Sequence, residues 1–363
     1  MIDGSLLMLG IDGPELTPGE ARSIRELQPA GFILFSRNVV SPIQTRKLTD
    51  DLRGLCQDEP ILAIDEEGGR VSRTRAFAPP QPSPPALVAH HAAGDKRNTI
   101  ARASCAMADL LSMLGCNLNF APVLDLNHHP GTNNALLGRC WERDPQRVID
   151  HAGMWNRWLR KRGIAGCGKH FPAGGRATQD PHHDLPVCDA TINELLAEDI
   201  LPYTALMPEL DAIMLGHIRF PNIDPDLPAS LSPRIIRKFL RDQLGFDNHV
   251  VLTDDLDMGA ITNRYGRGED VRLAIEAGND LAMICHRTET AMEAAKVIGG
   301  LPFWMRDEAH ARIARLRRKL SPPHAWCEKR LGKFLTELQD ITYAVPEIEA
   351  GSGGDAASPV AQY

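Results

Sequence analysis

Three short stretches carry side chains able to cleave a glycosidic bond. They are Lys169-His170-Phe171-Pro172, Asp180-Pro181-His182 and Thr253-Asp254-Asp255. Such cleavage with retention needs a carboxylate nucleophile and a separate proton carrier. Asp254 ends the apolar run Val250-Val251-Leu252-Thr253 and is the candidate nucleophile, because a carboxylate at the end of a buried strand must find donors or a task. His182 is the candidate proton carrier. Its unperturbed pKa lies near neutrality, so an imidazole can stand where a second carboxylic acid would otherwise serve. Asp180, two residues earlier, would orient that ring and favour its charged form. An isolated Thr-Asp-Asp is better explained as a cap of the next turn. The convergence of Asp65, Lys169 and His182 on one face reverses that reading for Asp254 and leaves Asp255 structural, with His183 an exposed loop residue.

These groups need elements to hold them. Apolar runs at Leu6–Ile11, Gly31–Phe35, Ile61–Asp65, Asn117–Pro122, Ile164–His170, Ala212–His217, Val250–Asp254 and Leu281–His286 read as strands. Helix-length patterns lie between them at Pro18–Gln28, Pro42–Cys56, Lys96–Leu114, Pro145–Arg162, Thr191–Met207, Ser232–Leu244, Glu269–Ala277 and Thr288–Ile298, several opening on Ser-Pro or Thr-Pro. Near-continuous apolar strands alternating with helices imply a buried parallel sheet. Eight such units in about 300 residues suit a single (β/α)8 TIM-type barrel, and no G-x-G-x-x-G follows the first strand to favour a dinucleotide-binding sheet. A barrel puts its chemistry at the strand C-termini, and the strand ends here include Asp12, Arg37-Asn38, Asp65-Glu66-Glu67, Asp125, Lys169-His170, His217, Asp254-Asp255 and His286. After Asp65, Gly68-Gly69 would let backbone approach a ligand closely. The Pro-rich loop Ala76–Pro85 and the Asn/His/Gly-rich loop Asn127–Cys140 would rim the same mouth. Arg73, Arg139, Lys169 and His170 would either donate to sugar oxygens or form ion pairs with Asp65, Asp125 and Glu142.

Composition bounds the rest. The 363 residues are 43% hydrophobic and 24% charged, with a net charge of −7, which argues against nucleic acid or an anionic membrane as partner. The basic run Arg315–Lys319 reads as the solvated face of a helix whose other face carries Ala309, Ile313, Leu316 and Leu320. Eight cysteines show no C-x-x-C pair and no nearby His cluster, so neither zinc spacing nor a disulfide framework is expected. Cys105, Cys116, Cys167 and Cys285 sit in apolar surroundings and read as reduced thiols. No apolar stretch approaches a membrane span, and the run Leu6–Ile11 is too short for a signal-peptide core, so a cytoplasmic location is expected. Domains are expected at 1–320 for the barrel and 321–345 for a helical extension on its exterior, followed by a disordered tail at 346–363.

The motifs together resemble the family 3 glycoside hydrolases, specifically the bacterial β-N-acetylglucosaminidases of peptidoglycan recycling. The matching pieces are Gly31-Phe-Ile-Leu-Phe35 with Arg37-Asn38, Ile64-Asp-Glu-Glu-Gly-Gly-Arg-Val71, and Asn119-Phe-Ala-Pro-Val-Leu-Asp-Leu-Asn127. They continue with Gly138-Arg139, Asp144-Pro145, Lys169-His-Phe-Pro172, Asp180-Pro-His182, Asp184-Leu-Pro186 and Thr253-Asp-Asp-Leu-Asp-Met258. The resemblance implies Asp254 as nucleophile, His182 with Asp180 as the acid–base pair, and Asp65, Arg73, Arg139, Lys169 and His170 as the residues holding N-acetylglucosamine. It implies a small carbohydrate substrate, such as a muropeptide or chito-fragment, no metal or organic cofactor, and a monomer. The chain departs from the pattern at two points. The family's Lys-His-Phe-Pro-Gly-His-Gly is here Lys169-His-Phe-Pro-Ala173-Gly174-Gly175, and its Asp-Ser-His is Asp180-Pro181-His182. The alternatives are a phosphorylase or β-glucosidase of the same family, or a sugar-binding barrel without turnover.

Overall fold

The computed structural model describes residues 2–131 and 134–346; the tail expected to be disordered lies, beyond Pro346, outside the described residues. Eight parallel strands close into a barrel in sequence order. They are β1 (Leu7–Gly10), β2 (Gly31–Leu34), β3 (Ile61–Ile64), β4 (Leu118–Asn119), β5 (Ala165–Phe171), β6 (Ala212–Leu215), β7 (Val250–Asp255) and β8 (Leu281–Ile284). The ring closes where Leu7 of β1 pairs with Ala282 of β8. Side chains of β1, β2, β3, β6 and β8 are buried throughout, because one face fills the barrel and the other packs under helices.

The helices are α1 (Pro18–Leu27), α2 (Pro42–Leu55), α3 (Pro84–Ala92), α4 (Thr99–Leu114), α5 (Pro145–Lys161), α6 (Ile192–Ala197), α7 (Leu201–Leu206), α8 (Gly259–Thr262), α9 (Glu269–Ala277), α10 (Ala291–Gly300), α11 (Phe303–Arg317) and α12 (Glu328–Ala344). Between β6 and β7 the stretch Arg234–Gln243 winds as a π-helix. Local chemistry explains several of the starts. The hydroxyls of Thr17, Ser41 and Thr191 accept the N–H three residues on, and Glu20, Gln44 and Glu194 return a bond to the cap, while Pro18 and Pro42 occupy positions whose N–H would be unbonded anyway.

Four expectations are corrected. The helix read over Thr191–Met207 is two helices, because Pro202 has no N–H to continue the ladder. The Pro-rich loop ends at Ser83, which caps α3, since proline in a first turn costs nothing. The fourth strand has two paired residues, as Pro122 lacks a donor; the carbonyls of Ala121 and Pro122 still accept from Cys167 (3.0 Å) and Lys169 (3.3 Å). The C-terminal helix begins at Glu328, past Pro322-Pro323. It buries Leu338 and Ile341 and ties Glu337 to Arg102 of α4 at 2.7 Å. Ala309, Ile313 and Leu316 of α11 are buried while Arg315, Arg318 and Lys319 are exposed. Cys116, Cys167 and Cys285 are buried free thiols and Cys105 is half-buried. No described helix is long and apolar enough to cross a membrane.

Candidate active site

Two irregularities in the barrel shape its mouth. Pairing of β5 with β6 shifts register between Gly168 and Phe171, and pairing of β7 with β8 shifts between Leu252 and Asp255. In a regular strand, neighbouring side chains point to opposite faces. Here Lys169 and His170, and likewise Asp254 and Asp255, line the same cavity.

On one side of that cavity lies a compensated charge cluster. The Lys169 ammonium sits 2.6 Å from Asp65 Oδ1 and 2.5 Å from Glu67 Oε1. Arg139 clasps Glu67 with both arms, Nε and Nη2 each at 2.8 Å, the bidentate geometry a planar guanidinium favours. Arg73 approaches Asp65 Oδ2 at 3.5 Å. Burial works against the charges of Glu67, Lys169 and Arg139. Opposite charge prevails: Arg139 and Lys169 hold the Glu67 carboxyl far below its usual range, while Asp65 and Glu67 hold the Lys169 ammonium above its own. Arg73 is seated by Glu66, whose Oε2 accepts the backbone N–H of Arg73 (2.9 Å) and Thr74 (3.1 Å).

Asp254 faces this cluster from β7. Burial pushes its pKa up, but His170, His217, the Asp255 N–H donating to Oδ1 at 2.8 Å, and His182 together hold the carboxyl below the usual range. It is therefore ionised near neutral pH. His170 is pinned by Asp125, whose Oδ2 meets both its N–H (3.0 Å) and its Nδ1 (2.7 Å). Asp125 Oδ1 accepts the Gly175 N–H at 3.2 Å, and a Cβ on Gly174 would lie 2.9 Å from both carboxylate oxygens. The turn that departs from the family pattern is thus packed directly on Asp125. His217 is buried, with Nδ1 against Ser230 Oγ (2.7 Å) and Nε2 against the Asp255 carbonyl (2.8 Å); burial holds its pKa down.

His182 enters from the β5–α6 loop. Asp180 Oδ1 accepts its N–H at 2.9 Å and meets its Nδ1 at 2.6 Å; burial pushes the Asp180 carboxyl up, but these two bonds together with the nearby imidazoles of His182 and His183 hold it low. The ring stands where two chambers meet. An inner one is lined by Asp65, Arg73, Lys169, Asp255 and His286. An outer one is lined by Leu136, Ala177, Pro181 and Ile218. Arg139, His170, His182, Asp254 and Met258 border both.

All eight residues picked from the sequence except Asp180 line these chambers, and Asp180 touches them through His182. His183 is exposed and Asp12 points away, bonded to Thr288. The sequence placed Glu67, Asp125 and His286 at strand ends but gave no site role to Glu67, the hub between Lys169 and Arg139, or to His286, and took Asp125 only as a possible ion-pair partner. The signal available was their position at strand ends. Outside the site, His128, Glu198 and Asp199 lie close enough to share a metal ion, but the guanidinium of Arg176 already engages both carboxylates, at 2.6 Å to Asp199 and 3.2 Å to Glu198.

An eight-stranded barrel with an ionised carboxylate and an Asp-oriented imidazole bordering one polar cavity defines the class of glycoside-cleaving barrels. The chain belongs to glycosyl hydrolase family 3: the profile of that family's N-terminal domain matches residues 6–316. It is 34% identical over 324 residues to a beta-hexosaminidase of Thiobacillus denitrificans, covering 88% of this chain and 87% of that protein. A beta-hexosaminidase of Pseudomonas aeruginosa is 36% identical over 290 residues, 78% of this chain and 83% of its own. Among solved structures, NagZ from Neisseria gonorrhoeae superposes with a TM-score of 0.80 at 28% identity, over 95% of this chain and 99% of that one. A family 3 beta-N-acetylglucosaminidase from a Paenibacillus species gives 0.84 at 30% identity, over 94% and 68%.

Proposed function

We propose that this protein is a retaining β-N-acetylhexosaminidase that releases terminal β-linked N-acetylglucosamine. The observation that carries the reading is the shared border: Asp254 and the Asp180-bound ring of His182 both stand where the inner and outer chambers join. A sugar in the inner chamber and its leaving group in the outer one place the scissile bond between them. Asp65, Arg73, Arg139, Lys169 and His170 hold the sugar by donating to, or accepting from, its hydroxyls and acetamide.

Asp254 attacks the anomeric carbon as the bond to the leaving oxygen breaks, through an oxocarbenium-like transition state, and forms a covalent glycosyl-enzyme. His182, protonated on the ring and oriented by Asp180, gives its proton to the departing oxygen. Now neutral, it takes a proton from the incoming water, whose oxygen displaces Asp254 and restores the original anomeric configuration. Nucleophile and proton both come from side chains, so the scheme calls for neither metal nor organic cofactor.

Relatives named as hexosaminidases and N-acetylglucosaminidases support this sugar. The natural substrate in this reading is a muropeptide or chito-oligosaccharide, met in the cytoplasm by a monomer in peptidoglycan recycling. A panel of aryl β-glycosides tests the core of it. N-acetylglucosaminide should be cleaved far faster than glucoside or xyloside, with β-anomer released first by NMR. Preference for the glucoside, or release of α-anomer, would sink it.

A further inference from the structure

We propose that His286 and Asp255 form a notch in the wall of the inner chamber that binds one hydroxyl of the sugar ring. The notch deepens the glycosidase reading, on which it rests for the identity of the ligand. His286 lies two residues beyond β8 and Asp255 ends β7; both line the chamber that holds Asp65, Lys169 and Asp254.

The proton positions follow from the neighbours. Arg37 Nη1 sits 3.2 Å from His286 Nδ1, and a guanidinium can only donate, so Nδ1 accepts and the ring proton resides on Nε2. Arg37 is itself fixed by the carbonyls of Ile11 (2.8 Å) and Cys285 (2.7 Å), and the His286 ring is backed by Phe35, 5.1 Å between centroids. Asp255 Oδ1 accepts the N–H of Asp257 (3.0 Å) and Cys285 (3.1 Å). Its Oδ2 stands 3.5 Å from His286 Nε2, longer than a direct N–H···O bond.

That spacing suits a small group that touches both atoms. A hydroxyl has one proton and two lone pairs, so it can accept from Nε2–H and either donate to a carboxylate or accept from the protonated acid. Burial and then Asp257 push the Asp255 carboxyl up, while burial and then Arg37 push the His286 imidazole down to about 4. Neither partner then carries a charge that would draw in an ion, and an uncharged hydroxyl is the fitting occupant. The arrangement also keeps a second full negative charge away from Asp254.

The test is binding of N-acetylglucosamine and its 3-, 4- and 6-deoxy analogues, by calorimetry, to wild type, His286→Asn, His286→Gln and His286→Phe. Asn reproduces the Nδ1 acceptor for Arg37 and has nothing at Nε2; Gln reaches the Nε2 position; Phe keeps the ring against Phe35 without nitrogen. Wild type should bind one deoxy sugar about tenfold or more weakly. His286→Asn and His286→Phe should bind the parent sugar weakly by that same factor and no longer distinguish it from that analogue, and His286→Gln should recover part of the difference. A merely structural role would shift all four sugars together. Unchanged discrimination in either His286→Asn or His286→Phe overturns the notch. Because binding is read, a wild type that binds the sugar without cleaving it counts against the hydrolase alone, and a wild type that binds none of the sugars overturns both.

Discussion

The backbone N–H of Gly259 donates to the carbonyl oxygen of His182 at 3.1 Å. This joins the loop carrying the imidazole to the segment that leaves the strand of Asp254. Ala260 N–H donates to Pro181 O (3.1 Å), Asn263 Nδ2 to His183 O (3.0 Å), and Arg264 pairs with Asp184 (2.8 Å). A Cβ at position 259 would lie 2.6 Å from His182 O and 2.8 Å from His183 O. Proton carrier and nucleophile are held at a common spacing by this seam.

Gly259→Ala should therefore push the His182 loop away while leaving the barrel folded. Loss of turnover should be greater for a natural disaccharide than for a dinitrophenyl glycoside, on the order of tenfold more, since about 1.4 kcal/mol of lost proton-transfer alignment has that effect. Equal loss for both substrates would break the link between seam and proton transfer.

Asp254→Asn should lower kcat by roughly a thousandfold or more, because among the described residues Asp254 is the carboxylate that borders both chambers, where the covalent bond must form. A 5-fluoro glycosyl donor should label Asp254 in the wild type, as read by peptide mass spectrometry. A label on another carboxylate would remove Asp254 from the mechanism.

His182→Ala should spare nitrophenyl glycosides relative to disaccharides, since a nitrophenolate needs little protonation to leave. Asp180→Asn should act in the same direction but less severely, the ring remaining without its orienting charge. Steady-state kinetics on both substrate classes checks this; an equal effect on the two would send the search for the proton carrier elsewhere.

Glu67→Gln should destabilise the fold by about 3–5 kcal/mol, since it leaves the buried charges of Lys169 and Arg139 partly uncompensated. Sugar affinity should fall with it, as Arg139 loses its bidentate carboxylate and Lys169 one of its two. Chemical denaturation and calorimetric titration read the two effects separately, and an unchanged midpoint of unfolding would contradict the hub role.

Acidification has a definite sign. The carboxyls of Glu67, Asp180 and Asp254 are all held below their ordinary values. Their contribution to stability is present in full above the unfolded carboxylate pKa, about 4, and is lost as pH falls through the lower folded values. Stability referable to these groups should thus be flat from neutrality to about pH 5 and drop below it. Asp254 should stay ionised over the same span, so the rate of His182→Ala on a dinitrophenyl glycoside should show no acid limb above about pH 4. A limb near pH 6 would contradict an ionised Asp254.

Much of the architecture was legible in the chain because its determinants are local. Apolar runs four to seven residues long, Ser-Pro and Thr-Pro starts, and polar groups just past each run lie within a helix turn or two of what they specify. Asp65, Lys169, His170 and Asp254 were legible for the same reason, since each lies at the end of a strand, whereas Arg73, Arg139, Asp180 and His182 stand further along the loops and were legible through their motifs. What tertiary structure alone decided is which charge answers which. Glu67 and Arg139 are 72 residues apart, Lys169 and Asp65 104, Arg37 and His286 249, and no periodic pattern encodes such pairs. Alternation along a strand also misleads here, since register shifts in β5 and β7 turn Lys169 with His170, and Asp254 with Asp255, into one cavity. Those shifts arise from hydrogen bonding between strands as the barrel closes, such as the Thr253 hydroxyl accepting the Met283 N–H at 3.1 Å, and they exist only once the eight strands are in place.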